Sequence, residues 1–301
     1  MTNRIALSLA LPDTNACLTT LDELAPRISL AEIRLDLMES YDLPRLIAES
    51  SCPLIITCRP PREGGRFVGS EAERLAVLAQ AMALGAAYVD VEWDCVTALK
   101  HYRTRTRVIG SRHWFDAMPA TLWNAYHELA PYVDAVKLVG TAACPADVLP
   151  IFDLLQHATL PTIGIAMGAQ GQITRVLAPC FSSCLLTYGA SSAATVTAPG
   201  QVSIQELTEA YHLDRVGPQT MIHLHLCENR RSAGAVLRHN RAATAGTILH
   251  VPWIVAVEAI MDVVPHLRAW MPRLTITADP ALKQAWAALC HSHPAELGQL
   301  D

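Results

Sequence analysis

Three residues raise the first chemical question in this 301-residue chain: Lys137 in the apolar run DAVKLVG, His113 in SRHWF and Glu63 in CRPPREGG. A lysine near the end of an apolar strand can snorkel its ammonium out to solvent. If the fold encloses it, two outcomes are open: a salt bridge, or an amine held neutral by desolvation and by neighbouring cations such as Arg34 or Arg59. A neutral amine attacks a ketone and forms a Schiff base. The carbon beside the resulting iminium becomes acidic, because its electron pair can flow to nitrogen, and a histidine is suited to taking that proton. A carboxylate such as Glu63 orients the histidine and stabilises its protonated form. Together the three read as a device for eliminating a β-hydroxyl as water.

Such a device needs strands that end at a common mouth. Short β-prone runs recur at 4–10, 30–36, 53–58, 86–92, 106–111, 134–140, 161–167 and 184–189, and most of the gaps between them hold segments of helical period. One of these, SEAERLAVLAQAMALG, opens with Ser70 and Glu73 in capping-box spacing and ends in Gly85. Strands apolar on both faces and alternating with helices imply a parallel sheet covered by helices. Eight units in this length predict an α/β fold of the (β/α)8 TIM-barrel type, with an open doubly wound sheet as the alternative.

The mouth of such a barrel lies at the C-terminal strand ends. The polar residues expected there are Glu32, Arg34 and Asp36 on strand two, Arg59 and Glu63 after strand three, Glu92 on strand four and His113 after strand five. Lys137 near the end of strand six, Met167 and GAQGQ after strand seven, and Arg175 beyond complete the set. Plainer roles exist for each. Glu32, Arg34 and Asp36 alternate and could form a structural ion-pair network; Arg59 and Glu63 could pair with each other; His113 could be a loop histidine, and Met167 simple packing.

Charged residues make up only 17% of the chain against about 25% in an average soluble domain, and hydrophobic residues 51%, which calls for a large core or a subunit interface. A net charge of −5 offers no field for nucleic acid or anionic lipid. The nine cysteines are scattered without a C-x2-C pair, which suits reduced thiols in a cytoplasm. The N-terminal MTNRIALSLALP reads as a first core strand rather than a leader. The run at 248–264 carries Pro252, Glu258 and Asp262, which break any membrane-spanning reading.

The segments EIRLD, CRPPREGG, SRHWF, DAVKLV, MGAQGQITRV and TAPGQ, in order over roughly residues 4–212, together resemble type I 3-dehydroquinate dehydratase. The resemblance implies a cofactor-independent hydro-lyase of the shikimate pathway, in aromatic amino acid biosynthesis, converting 3-dehydroquinate to 3-dehydroshikimate by syn elimination. It implies Lys137 as the Schiff-base lysine, His113 as general acid/base and Glu63 as its orienting carboxylate. It also implies Glu32, Arg34 and Arg59 for substrate hydroxyls, Arg175 for the carboxylate, Met167 for packing, and Thr197 and Gln201 in a closing loop. That loop usually reads SAPGQ; Thr197 keeps the hydroxyl and adds a methyl. The expected partner is a small-molecule substrate, with no nucleic acid, no membrane and a possible homodimer.

The chain is thus expected to divide into a barrel over 1–213 and an αβ unit over 214–301, with strands at 221–226, 246–255 and 272–279. The run LHLCENRRSAGAVLRHNRAATAGTILHVPWIV and the later RLTITADPALK resemble the substrate-binding half of shikimate dehydrogenase. Only Ser232 remains of that family's paired serines, Ala281 stands where its lysine is expected, with Lys283 out of register, and no G-x-G-x-x-G occurs. A truncated, catalytically inert remnant is therefore expected. Two other functions fit less well: a non-catalytic pathway sensor derived from the enzyme, and a different Schiff-base barrel such as a class I aldolase. His223 and His225, and His291 and His293, form H-x-H pairs without recognisable partners, so no metal is expected.

Overall fold

The computed structural model describes residues 4–99, 105–191, 200–242, 248–256, 259 and 261–292. The first eight strands are β1 (Ile5–Leu9), β2 (Leu30–Arg34), β3 (Leu54–Thr57), β4 (Tyr88–Glu92), β5 (Arg107–His113), β6 (Ala135–Thr141), β7 (Thr162–Met167) and β8 (Thr187–Ala190). Each pairs in parallel with its sequence neighbour from β1 to β7, and β8 returns to pair with β1. Thr162 closes the ring by bridging to Cys184, its N–H donating to Ser183 O (2.7 Å) and its carbonyl accepting from Leu185 N (2.9 Å). The predicted (β/α)8 TIM barrel is the fold found, with all eight strands in place. A two-residue strand, β9 (Val202–Ser203), pairs in parallel with β8 and was too short to leave a pattern in the sequence.

Helices cover the outside: α1 (Thr14–Leu24), α2 (Leu43–Glu49), α3 (Glu71–Ala83), α4 (Trp123–Leu129), α5 (Leu149–His157), α6 (Gln172–Leu177) and α7 (Ile204–Glu209). The capping box read at Ser70 is present: Ser70 N donates to Glu73 Oε2 (2.7 Å) and Glu73 N donates to Ser70 Oγ (3.3 Å). Asp13, Asp42 and Ser203 cap α1, α2 and α7 with their side chains in the same way. Strand residues pointing outward, such as Leu7, Ile33, Ile56, Val89, Val91 and Leu138, are fully buried against these helices.

Inward-pointing residues form layers. The lower layer is an apolar plug of Ala6, Ile55, Tyr88, Ile109, Ala135 and Ile163. One pleat nearer the C-terminal ends the interior turns polar, with Glu32, Thr57, Asp90, Ser111 and Lys137 all buried. Parallel pairing sets this order: Ser111 lies opposite Lys137, and Ile109 opposite Ala135, so each pleat delivers one layer.

After Leu213–Arg215, a short 3-10 turn, three more strands form a separate parallel sheet in the order β11 (Ile248–Ile254), β10 (Met221–Cys227), β12 (Leu274–Ala278). Helices α8 (Arg230–Ala242), α9 (Val264–Trp270) and α10 (Pro280–Ser292) accompany it. Ile222, Leu224, Leu226, Val251 and Leu267 join the same hydrophobic cluster as the outer faces of the barrel strands, and α9 lies against α5. The sequence offered no partner for the H-x-H at His223 and His225; the structure supplies one, because β11 brings His250 opposite His223. His293 falls outside the described residues. Among those described, no helix is long and apolar enough to cross a membrane.

The β7–β8 seam is held by one bridge rather than a ladder, so its outer packing matters. Phe152 of α5 is fully buried and stacks on Phe181 with ring centroids 5.6 Å apart, while Arg4 donates to Phe181 O at 2.6 Å. Phe152→Ala is expected to cost about 3–5 kcal/mol in urea unfolding. Hydrogen exchange should rise at Leu185, whose amide closes the ring, before it rises on β3 or β4.

Candidate active site

Lys137 is the third residue of β6, deeper than the strand end expected from sequence. It is 5% exposed, and its Nζ donates to Asp90 Oδ2 (2.8 Å), Glu32 Oε1 (3.1 Å) and the Tyr188 hydroxyl (3.3 Å). Of the two outcomes open to an enclosed lysine, the salt bridge is the one found, and the groups in contact with the amine are carboxylates rather than arginines. The arginines stand one step further out. Arg59 bonds Asp90 Oδ1 (2.9 Å), Glu92 Oε1 (2.7 Å) and Ser111 Oγ (2.7 Å), and Arg74 pairs with Glu92 and Glu71 and donates to Cys58 O. Three buried cations (Lys137, Arg59, Arg74) thus meet three buried carboxylates (Glu32, Asp90, Glu92). Burial opposes ionisation of Asp90, but Arg59 and Lys137 outweigh it and hold the carboxyl well below the ordinary aspartate value.

Arg59 and Glu63 do not pair with each other. Glu63 ends a 3-10 turn, Pro61–Glu63, and turns its Oε2 to His113, accepting from the backbone N–H and lying 2.9 Å from Nδ1. His113 is the last residue of β5, not a loop residue after it. Burial, with Arg59 and Lys137 nearby, pushes its pKa well below 6.5, so the imidazole is neutral at neutral pH. A neutral ring whose Nδ1 proton goes to Glu63 keeps a lone pair on Nε2. Burial also raises Glu63, to about 7, against the downward pull of the His113 amide and Arg59.

The loop carrying Glu63 folds tightly back on itself. Gly64 has φ of +74°, and a Cβ there would meet Phe115 at 2.5 Å; a Cβ on Gly65 would meet the Arg59 carbonyl at 1.9 Å. Asp36 pins both ends of the loop by accepting from the backbone N–H of Arg59 (3.1 Å) and Arg66 (3.0 Å). It also makes a two-point contact with Arg34 at 2.9 and 2.8 Å. The alternation read through Glu32, Arg34 and Asp36 breaks at Leu35, where the strand gives way to a 3-10 turn. Asp36 is therefore a structural clamp, whereas Glu32 points inward to Lys137.

Glu32, Arg34, Arg59, Glu63, His113, Lys137, Met167, Arg175 and Gln201 line one cavity of about 260 Å³, and no described residue of the second sheet lines it. Arg175, on α6, is 2% exposed, and burial pushes its guanidinium down to about 10. Thr197 lies outside the described residues. Glu92 stands behind Arg59 rather than on the cavity wall. Asp90, Thr57, Ser111 and Tyr188 were missed as site residues. The alternation in YVDVE places Asp90 and Glu92 on one face, and only the preference for strand ends favoured Glu92. Thr57 donates to Glu32 at 2.7 Å and Ser111 to Asp90 at 2.6 Å, polar roles that nothing in LIIT or RVIGSRH announces.

The model of the type I 3-dehydroquinase family matches residues 5–218. A 3-dehydroquinate dehydratase of Desulfotalea psychrophila is 37% identical over 188 residues, 58% of this chain and 83% of that protein. The bifunctional 3-dehydroquinate dehydratase/shikimate dehydrogenase of Arabidopsis thaliana is 34% identical over 227 residues, 71% of this chain. The chain spans only 37% of that relative's length. Among solved structures, the dehydroquinate dehydratase and shikimate dehydrogenase portion of S. pombe AroM aligns with 95% of this chain and 58% of its own, with a TM-score of 0.60 at 20% identity, a likeness of fold that extends over the second sheet. With the family model covering the whole barrel and a relative of 37% identity matched over most of its length, the chain belongs to the type I 3-dehydroquinase family.

Proposed function

We propose that this chain is a 3-dehydroquinate dehydratase that works through an imine on Lys137. The reading rests on one observation: an enclosed lysine and a neutral histidine, held by a glutamate, line the same cavity from adjacent strands. The amine attacks the substrate ketone after passing one proton to an acceptor, the carbinolamine loses water, and an iminium results. His113 Nε2 takes a proton from the adjacent carbon, and the electron pair flows to nitrogen. The enamine then expels the β-hydroxyl, which leaves as water with the proton from His113. Hydrolysis of the product imine consumes the water released at the start and frees Lys137.

The remaining residues bind and position. Arg175, desolvated at the cavity wall, suits the substrate carboxylate. Glu32 and Arg34 face the hydroxyls. Arg59 spends Nη1 and Nη2 contacts on Asp90, Glu92 and Ser111 and so acts on the substrate chiefly as a fixed positive charge. Met167 packs the ring, and Gln201 lines the same cavity and holds the substrate from its side. The second sheet gives the cavity no described residue, in keeping with a boundary near 213 and a unit without part in the dehydration.

Borohydride added with 3-dehydroquinate should leave a reduced adduct on Lys137, detected by mass spectrometry. Failure to form it, or full activity in Lys137→Ala, would sink the proposal. His113→Ala should lower kcat by about 10²- to 10⁴-fold. Because the His113 pKa is pushed down and the neutral ring is the base, loss of kcat/KM through protonation of His113 should set in below pH 6.5, and a limb near pH 7 should belong to Glu63.

Asp90 gives a stability test with a defined sign. Its folded pKa is depressed, so its contribution is complete above the ordinary value of 3.8 and is lost as the pH falls below it. Asp90→Asn should cost about 3–5 kcal/mol at pH 7, because it leaves the buried layer with one uncompensated positive charge. That cost should shrink below pH 4, read by denaturant unfolding across the pH range.

A further inference from the structure

The second sheet gathers histidines on one face. His223 and His225 alternate on β10 and so project to the same side, opposite Ile222, Leu224 and Leu226, which are buried in the core. Parallel pairing puts His250 of β11 directly opposite His223, and Thr277 of β12 directly opposite His225. One ring nitrogen from each of the three histidines lies within 4.8 Å of the other two. From this convergence we propose that His223, His225 and His250 form a binding site for a divalent transition metal of the zinc class, independent of the barrel's chemistry.

The hydrogen bonds around the cluster set the rings for ligation. Thr277 Oγ1 lies 2.9 Å from His225 Nδ1 and His225 Nε2 lies 3.0 Å from His250 Nδ1. With Nδ1 of His225 donating to the threonine hydroxyl, its Nε2 presents a lone pair to the centre of the cluster, as an outer hydroxyl does for a ligating imidazole. The facing nitrogens of His225 and His250 compete for a single proton between them, and a cation replaces that proton. Tetrahedral coordination at about 2.0–2.1 Å places ligand nitrogens roughly 3.3–3.4 Å apart. The 3.0 Å pair needs to open by only a few tenths of an ångström, and His223 to close in.

The backbone at the site is held independently of any metal. Asn240 of α8, itself buried, donates from Nδ2 to the His250 carbonyl at 2.8 Å, and its own carbonyl lies 3.1 Å from His212 Nε2. His239, next to Asn240, sets its ring edge-on to His250 with centroids 5.6 Å apart. Three imidazole nitrogen donors with no carboxylate among them suit Zn²⁺ over Ca²⁺ or Mg²⁺, which take oxygen. All three rings are half-buried, so an ion can enter from solvent and retain a water as its fourth ligand.

The test uses the untagged full chain, stripped with a chelator and titrated with Zn²⁺ against a chromophoric competitor. One equivalent should bind with a Kd of about 1 μM or tighter, and His225→Gln and His250→Gln should each weaken binding at least 100-fold. Thr277→Val should weaken it by about 10- to 100-fold. Dehydration of 3-dehydroquinate should be unchanged in all three variants, which shows that they fold and keeps this result separate from the function proposed for the barrel. Absence of Zn²⁺ uptake at micromolar concentration, or wild-type binding in both histidine variants, overturns the site. Zinc X-ray absorption on the wild-type chain decides the matter without a variant: three imidazole ligands are expected, and fewer overturn it.

Discussion

Asp90 is shared between Lys137 and Arg59, and the interior of the barrel depends on that sharing. A carboxylate that is 0% exposed cannot ionise without partners. Neither cation alone would satisfy it, because each of its oxygens faces a different one. Once Asp90 is charged, Lys137 is anchored at one side and Arg59 at the other. Arg59 then brings in Glu92, and Glu92 brings in Arg74. The polar layer is thus a single chain of ion pairs whose members are each too costly to bury separately.

That layer also suits the charge that the proposed chemistry leaves on nitrogen. An ammonium and a protonated imine carry the same unit charge at nearly the same place. Glu32 and Asp90 therefore face a cation before and after imine formation, and the site need not reorganise between the two states. His113 complements this from the next layer. Burial first, and then Arg59 and Lys137, keep its ring neutral against the opposite pull of Asp90, so the cations of the polar layer help prepare the base beside them.

The barrel and most of its cavity were legible in the sequence because a parallel strand buried on both faces leaves an apolar run, and eight such runs with helical gaps admit few folds. Lys137, His113 and Glu63 stood out because each is a costly residue in an apolar or glycine-rich setting. Depth was less legible. A sequence shows that Lys137 interrupts a strand but not that it sits three residues in, with a side chain long enough to reach the mouth. Asp90 and Tyr188 escaped notice for the same reason: they belong to a layer defined by register around the ring, and register is a property of pairs of strands rather than of any one run. Thr57 and Ser111 look like ordinary strand residues until the carboxylates they donate to are placed.

The same limit explains why the histidines of the second sheet looked unpartnered. H-x-H marks two rings on one face of one strand, and the next residue on that face of β10, Cys227, turns its thiol to the His225 carbonyl at 3.3 Å. The third ring comes from a strand 27 residues further along, brought level by the pairing of His223 with His250. The barrel unites Asp90 and Lys137 across 47 residues in the same way. In both units the chemistry-bearing groups meet only because parallel strands align them laterally. The local sequence marks which residues are expensive, and the sheet decides which of them offset one another.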